Sequence, residues 1–183
     1  MRNKDHFLKM FKPFSDNIIF IDTEFSSLNP YKGEIMSIGL VKLSGEELYL
    51  ELEYQGETDE WVKLNIVPTL NGPKISREEA IKKIKTFIGD KKPFMIAYVN
   101  QFDTIYLYKL FGVENNPCYW IPVDFASILF ALGINPESYR DNENKFFRRL
   151  GIDLERYHQH NSLDDAKLLK DVYLEFLRIS KQD

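Results

Sequence analysis

A single cysteine, Cys118, occurs among the 183 residues. One thiol supports neither a disulfide framework nor a zinc site, so disulfide-stapled scaffolds and cysteine-rich zinc modules are excluded, and Cys118 is expected as a core thiol in a reducing cytoplasm. Long apolar runs are also missing. Phe7, Leu8, Met10, Phe11 and Phe14 gather before Asp16, but Lys9 and Lys12 interrupt them, and no stretch reaches signal-peptide or membrane-spanning length. A cytoplasmic protein without a membrane partner is the expectation. Nor is there an excess of positive charge, since 24 Lys and Arg stand against 28 Asp and Glu. A surface with a net charge of −4 offers no general attraction for polyanions, so a phosphate-bearing ligand must be held by local Lys/Arg patches and by metal. No repeat, low-complexity tract or linker divides the chain, which reads as one domain over 1–183 with 1–16 as an extension before the first strand.

The core has material enough, with 44% hydrophobic and 14% aromatic residues. Ile18-Ile19-Phe20-Ile21 is a bulky apolar run that ends in Asp22-Thr23-Glu24. Such a run predicts a central strand buried on both faces, and its period of two sends Asp22 and Glu24 to one side. Two carboxylates in one pocket raise each other's pKa unless a proton or cation lies between them, and a hard divalent cation is the natural occupant. The competing role is a strand end whose acids face water.

A loop, Ser26 to Gly33, follows, and then two strands. Met36, Ile38 and Leu40 fall on one face of Glu34 to Leu43. After the Ser44-Gly45 turn, Leu48, Leu50, Leu52 and Tyr54 alternate with Glu47, Tyr49, Glu51 and Glu53, which predicts a meander with one wet face ending at a sheet edge. Thr58 or Asp59 can cap a helix through Trp61 and Leu64. Ser76-Arg77-Glu78-Glu79 fits a capping box ahead of Ala80, Ile81, Ile84, Phe87 and Ile88, with Gly89 as the stop. Phe94 to Val99 is a second buried strand. It leads through Asn100-Gln101-Phe102-Asp103 into a helix closed by Gly112, so Asp103 sits at a strand-to-helix junction, where capping competes with catalysis as its role. Tyr119 to Val123 reads as a further strand, Asp124 as the cap of a helix ending near Gly133, and Glu137 to Asn144 as loop. Asn142 can start a short helix through Phe146, Phe147 and Leu150, with Arg148 and Arg149 outside.

In the last helix Leu168, Leu169, Val172 and Phe176 continue a stripe that starts at Asp165, which places that acid at the end of a core-facing seam. Asp164 shares its face with Lys167, Asp171 and Glu175, the solvated side. His160 precedes the helix from less regular backbone. An imidazole beside carboxylates can exchange protons near neutral pH, although a lone histidine is more often structural. Asp22, Glu24, Asp103, Asp165 and His160 are therefore the candidate site residues.

In these motifs the chain resembles the DEDDh 3′→5′ exonucleases of the ribonuclease H-like superfamily. Asp22-Thr23-Glu24 corresponds to the first motif, Phe102-Asp103 to the second, and His160-Asn161-Ser162-Leu163-Asp164-Asp165-Ala166 to the third. The tyrosine branch would need an acid where Asn161 follows Tyr157. The match runs over about residues 17–178, and the segments from Ala97 to Gly112 and Trp61 to Leu70 are similar to small stand-alone bacterial exoribonucleases related to ribonuclease T.

The resemblance implies an α/β fold with a mixed five-stranded sheet of order 3-2-1-4-5 and helices packed around it. It further implies two Mg²⁺ or Mn²⁺ ions, with Asp22 bridging them, Glu24 and Asp165 completing the water-activating site, Asp103 binding the second ion largely through water, and His160 taking the water's proton. RNA 3′ ends are the implied partner, with DNA as the alternative, nucleoside 5′-monophosphates are the product, and a homodimer stays open. Leu28 keeps the family position that wedges between terminal bases. Phe25 replaces a threonine that would approach the 3′ sugar, and Leu28, with Phe25 or Phe102 nearby, is expected to grip terminal bases by apolar contact and stacking. The rival functions are a phosphodiesterase acting on short nucleotides and a non-catalytic docking module.

Overall fold

A computed structural model describes residues 10–140 and 144–181; Phe7, Leu8 and the expected helix start at Asn142 lie outside the described residues. The run beginning at Ile18 forms β1 (Ile18–Phe25), the strand with neighbours on both sides that carries both acids of the first motif. It is clothed on both faces, as its unbroken apolar character requires. Ile19 and Ile21 join the core cluster of Ile84, Leu107 and Leu110 on one face, while Phe20 joins that of Phe125, Leu169, Val172 and Phe176 on the other.

β2 (Ile35–Lys42) pairs antiparallel with β1, and β3 (Glu47–Leu52) pairs antiparallel with β2 across a turn in which Gly45 takes φ 103°. β4 (Lys74–Ile75) adds to the outside of β3 in parallel, whereas β5 (Phe94–Ala97) and β6 (Val123–Asp124) extend the other side in parallel. The resulting order is β4-β3-β2-β1-β5-β6. Without the short β4 it is the expected 3-2-1-4-5 mixed sheet, so the fold class holds and one edge strand is added.

Helices α2 (Arg77–Ile88) and α3 (Gln101–Phe111) cover the Ile19 face. The opposite face is covered by α4 (Phe125–Ala131), α5 (Lys145–Leu150) and α6 (Ser162–Ser180), with α6 lying across β1 and β2. The expected caps form where their donors allow: Ser76 Oγ accepts from Glu79 N, and the Asp124 carboxylate accepts from Ala126 N and Ser127 N. No helix among the described residues is long and apolar enough to cross a membrane.

Several local expectations are corrected. Met36 does not share a face with Ile38 and Leu40: the register slips between Glu24 and Phe25, leaving Met36 as an extra residue that turns to Val62 and Ile66. These two belong to α1 (Glu60–Asn65) and its C-terminal extension. The anticipated wet face of β3 is not wet at Glu51, which is 3% exposed. Its Oε1 accepts from the Tyr49 hydroxyl at 2.9 Å and from Gly72 N at 2.8 Å. Alternation alone could not show that the chain from 66 to 72 returns to cover this edge. The strand expected from Tyr119 narrows to Val123–Asp124, because Pro122 has no N–H for a ladder. The strand expected to reach Val99 ends at Ala97, and Val99 takes φ 57° in the turn that follows.

One glycine decides how close α6 comes. Gly39 lies between Asp22 and Tyr49 in the sheet register, and a Cβ built there would overlap the Ser162 carbonyl and Leu163 N. The first turn of α6 therefore rests on bare backbone, with Ser37 Oγ and Ser162 Oγ 3.0 Å apart beside it. Gly39→Ala should force α6 away and cost about 1–3 kcal/mol or more, read as a lower midpoint in thermal and denaturant unfolding. Wild-type stability in this variant would mean that α6 does not sit on Gly39.

Candidate active site

β1 delivers side chains to two faces at its C-terminal end, and the site uses both. Asp22 and Glu24 project to the α6 side, following Phe20. Asp165, in the first turn of α6, comes down on them, and one carboxylate oxygen from each of Asp22, Glu24 and Asp165 lies within 4.8 Å of the other two. Asp165 starts the apolar stripe of α6, and Leu168, Leu169, Val172 and Phe176 are all buried below it. Asp164 points elsewhere: its carboxylate takes His158 N at 2.9 Å, His158 Nδ1 at 2.8 Å and Lys167 Nζ at 3.6 Å.

Asp103 reaches the same end of β1 from the other face. It is 5% exposed in the first turn of α3, and its Oδ1 accepts a 2.7 Å bond from the Thr23 hydroxyl. It does not cap α3, because Asn100 occupies that position, so the competing role for this aspartate does not apply. Thr23 had no part in the expected site, although the period of two that pairs Asp22 with Glu24 also turns Thr23 toward α3.

The electrostatics follow from packing acids into a partly dry corner. Burial first, then the Asp165 and Asp103 carboxylates, push Glu24 up to about 8. Burial pushes Asp103 up to about 7 against the lowering effect of the Thr23 bond. Such a set suits a hard divalent cation, which takes oxygen donors and offsets the burial and repulsion that otherwise hold protons on Glu24 and Asp103. The half-buried Tyr139 also faces this charge. Burial, then Asp165 and Asp22, hold its phenol well above the ordinary value, and its ring stacks on Tyr98 at 4.3 Å. Tyr139 falls in the stretch expected as loop and actually forms a 3₁₀ turn, Pro136–Arg140; no periodic signal marks it in the sequence.

His160 stands in the turn before α6, half-buried, with φ 63°. Its ring meets Trp61 edge-on at 5.3 Å, and its carbonyl accepts the Thr69 hydroxyl at 3.1 Å. Leu28 is 62% exposed on a loop that is held from several sides. Asp59 does not cap α1 with its side chain and instead accepts from Leu28 N at 3.2 Å. The Tyr106 hydroxyl donates to Ser27 O, and Lys109 Nζ donates to the Pro30 and Gly33 carbonyls. Phe25 stacks on Tyr106 at 4.7 Å and lies 5.6 Å from Phe102, so both phenylalanines border the α3 side of this loop. The structure thus brings Asp22, Glu24 and Asp165 together, sets Asp103 against them from the opposite face, and places Phe25 and Phe102 beside one another. Cys118 lies apart from the site, buried with its thiol pushed up to about 12, as a core residue.

The exonuclease family RNase T matches residues 19–173, a span that takes in all three motifs. The chain belongs to this family, the DEDDh 3′→5′ exonucleases with the ribonuclease H-like fold. No curated protein matches it in sequence. Among solved structures it is similar to zinc-bound E. coli exonuclease I in complex with single-stranded DNA, with TM-score 0.63 and 14% identity over 90% of this chain and 40% of that one. E. coli exonuclease I with a dA16 oligonucleotide gives TM-score 0.63 at 13% identity over 89% and 42%. Exonuclease I from Methylocaldum szegediense, moderately thermophilic, gives 0.57 at 14% over 89% and 41%. At these identities the likeness concerns the fold, and the chain spans less than half the length of each of these proteins.

The raised carboxylates make stability depend on pH with a defined sign. A folded-state pKa above the unfolded one stabilises the fold fully below the unfolded value and loses that contribution as pH rises through the folded value. Without divalent cation, the melting temperature should therefore fall between about pH 5 and pH 8.5, as Asp103 and Glu24 titrate near 7 and 8. Glu24→Gln should flatten the slope, and Mn²⁺ at pH 8 should reverse the loss. A flat profile in chelator would show that these acids are not held protonated by the fold.

Proposed function

We propose that this chain is a metal-dependent 3′→5′ exonuclease that releases nucleoside 5′-monophosphates from RNA 3′ ends. The observation that supports it most directly is the trio Asp22, Glu24 and Asp165, drawn together from β1 and α6 in a chain of the exonuclease family. In this reading Asp22, Glu24 and Asp165 would hold divalent cation, two Mg²⁺ or Mn²⁺ ions in all, with Asp103 beside them for the second. Bound ions supply a lowered pKa for water and stabilisation of charge on the scissile phosphate.

The chain's own residues do the rest. His160 accepts the proton of the attacking water from a backbone set apart from the carboxylates. Asp103, fixed by Thr23, keeps a fourth carboxyl oxygen donor at the end of β1. Leu28, exposed on its pinned loop, meets the terminal base, with the rings of Phe25 and Phe102 behind it. An acidic protein can act on a polyanion in this way because neutralisation is local.

A second reading, single-stranded DNA as substrate, draws support from the exonuclease I structures that hold it. Purified protein with Mn²⁺ and matched RNA and DNA oligonucleotides, labelled at either end, separates the two. Stepwise shortening from the 3′ end of RNA is expected, and endonucleolytic fragments or release from the 5′ end would overturn the proposal.

Asp22→Ala should be inactive yet folded, and should lose most of the Mn²⁺-dependent rise in melting temperature seen in the wild type. Equal rises in both proteins would remove Asp22 from the metal site. His160→Ala should keep that rise while losing about 10²–10⁴-fold in kcat; a wild-type kcat would remove His160 as the base. Leu28→Ala should raise KM for oligonucleotides without lowering the melting temperature, since an exposed side chain leaves no cavity behind. A fall in stability with unchanged KM would make Leu28 a packing residue.

A further inference from the structure

His160 is one of three non-glycine residues with positive φ among the described residues, and such backbone persists where surrounding groups over-determine it. On its C-terminal side, Asn161 caps α6 by accepting from Leu163 N and Asp164 N, and its own N–H closes the preceding turn on the His158 carbonyl at 3.1 Å. On the other flank, an arm of chain from α1 to Gly72 reaches the histidine. The Thr69 hydroxyl sits 2.8 Å from the Ile66 carbonyl and 3.1 Å from the His160 carbonyl, and Trp61 places its ring edge-on to the imidazole.

The arm is itself fastened to the sheet. Ile66 is buried against Met36 of β2, and Gly72 N donates to the buried carboxylate of Glu51 in β3. Glu51 pairs across the sheet with Ser37, and Ser37 pairs with Glu24. The carbonyl held by Thr69 belongs to the peptide plane that sets ψ of His160, and with it the direction of the Cα–Cβ bond. The strands that carry the carboxylates therefore also fix, through Thr69, the backbone from which the imidazole departs.

We propose that Thr69 is a positioning residue for His160, its hydroxyl holding the left-handed turn that presents the imidazole to the acidic cluster. This rests on the reading of His160 as the proton acceptor. Thr69→Val keeps the shape and removes the hydroxyl, whereas Thr69→Ser keeps the hydroxyl. With Mn²⁺ and an oligonucleotide substrate, Thr69→Val should lower kcat by about three- to tenfold, the size of one lost hydrogen bond, and leave KM unchanged. Thr69→Ser should restore kcat. In a His160→Ala background Thr69→Val should add nothing, because residues acting as one unit are non-additive.

A readout without turnover accompanies this. In NMR spectra of the full chain, the His160 imidazole Cε1–H resonance should shift or broaden in Thr69→Val and recover in Thr69→Ser, with the His158 resonance unmoved. An unchanged His160 resonance, an unchanged kcat in Thr69→Val, or an equal loss of kcat in both backgrounds overturns the proposal. Wild-type kcat in His160→Ala overturns the assignment of the base itself and this inference with it. Loss of kcat in His160→Ala, with wild-type kcat in Thr69→Val alone, overturns this inference and leaves the assignment of the base standing.

Discussion

The seating of α6 on the backbone of β2 is the contact on which the site depends. A helix packed on a sheet through ordinary side chains stands off by their thickness. Here Gly39 removes that layer at one point, beside Asp22 in the register, and the helix dips so that Ser162 and Leu163 touch the strand. Asp165, one turn further on, is thereby brought to the carboxylates of β1. The long apolar stripe below it, from Leu168 to Phe176, supplies the burial that anchors the helix end carrying Asp165 beside the two acids of β1.

The sheet also separates the acids by face. Asp22 and Glu24 meet α6 on one side, and Asp103 arrives with α3 from the other, where Thr23 receives it. Because β1 alternates, four consecutive positions from Asp22 to Phe25 serve both layers: two acids for one helix, then a hydroxyl and an aromatic ring for the other. Changing the register of β1 by one residue would exchange these roles and empty the site on both faces.

Much of this was legible from local pattern. The buried run before Asp22, the N-cap at Ser76, the cap at Asp124 and the stripe headed by Asp165 each rest on periodicity or cap chemistry and recur in the structure, although the Glu79 carboxylate that would close a capping box pairs with Lys83. What could not be read arises where distant segments meet. The chain from 66 to 72 buries Glu51, which alternation marks as wet, and the slip at Met36 breaks a face that even spacing would preserve. Asp59 spends its carboxylate on Leu28 N instead of on its own helix, a choice made by the neighbouring loop. Two signals were present and unused: a glycine inside a strand marks a close backbone approach, and a threonine between two acids must face away from them.

The acids and the imidazole are mounted in different ways. Asp22 and Glu24 sit on a hydrogen-bonded ladder, and Asp103 and Asp165 on the first turns of helices. His160 sits on irregular chain in the left-handed region, held by the turn that Asn161 closes, by the Thr69 hydroxyl and by the edge of Trp61. A substitution in the chain from 66 to 72 therefore reaches the backbone of His160 directly, while the ladder that carries Asp22 and Glu24 keeps its own pairing.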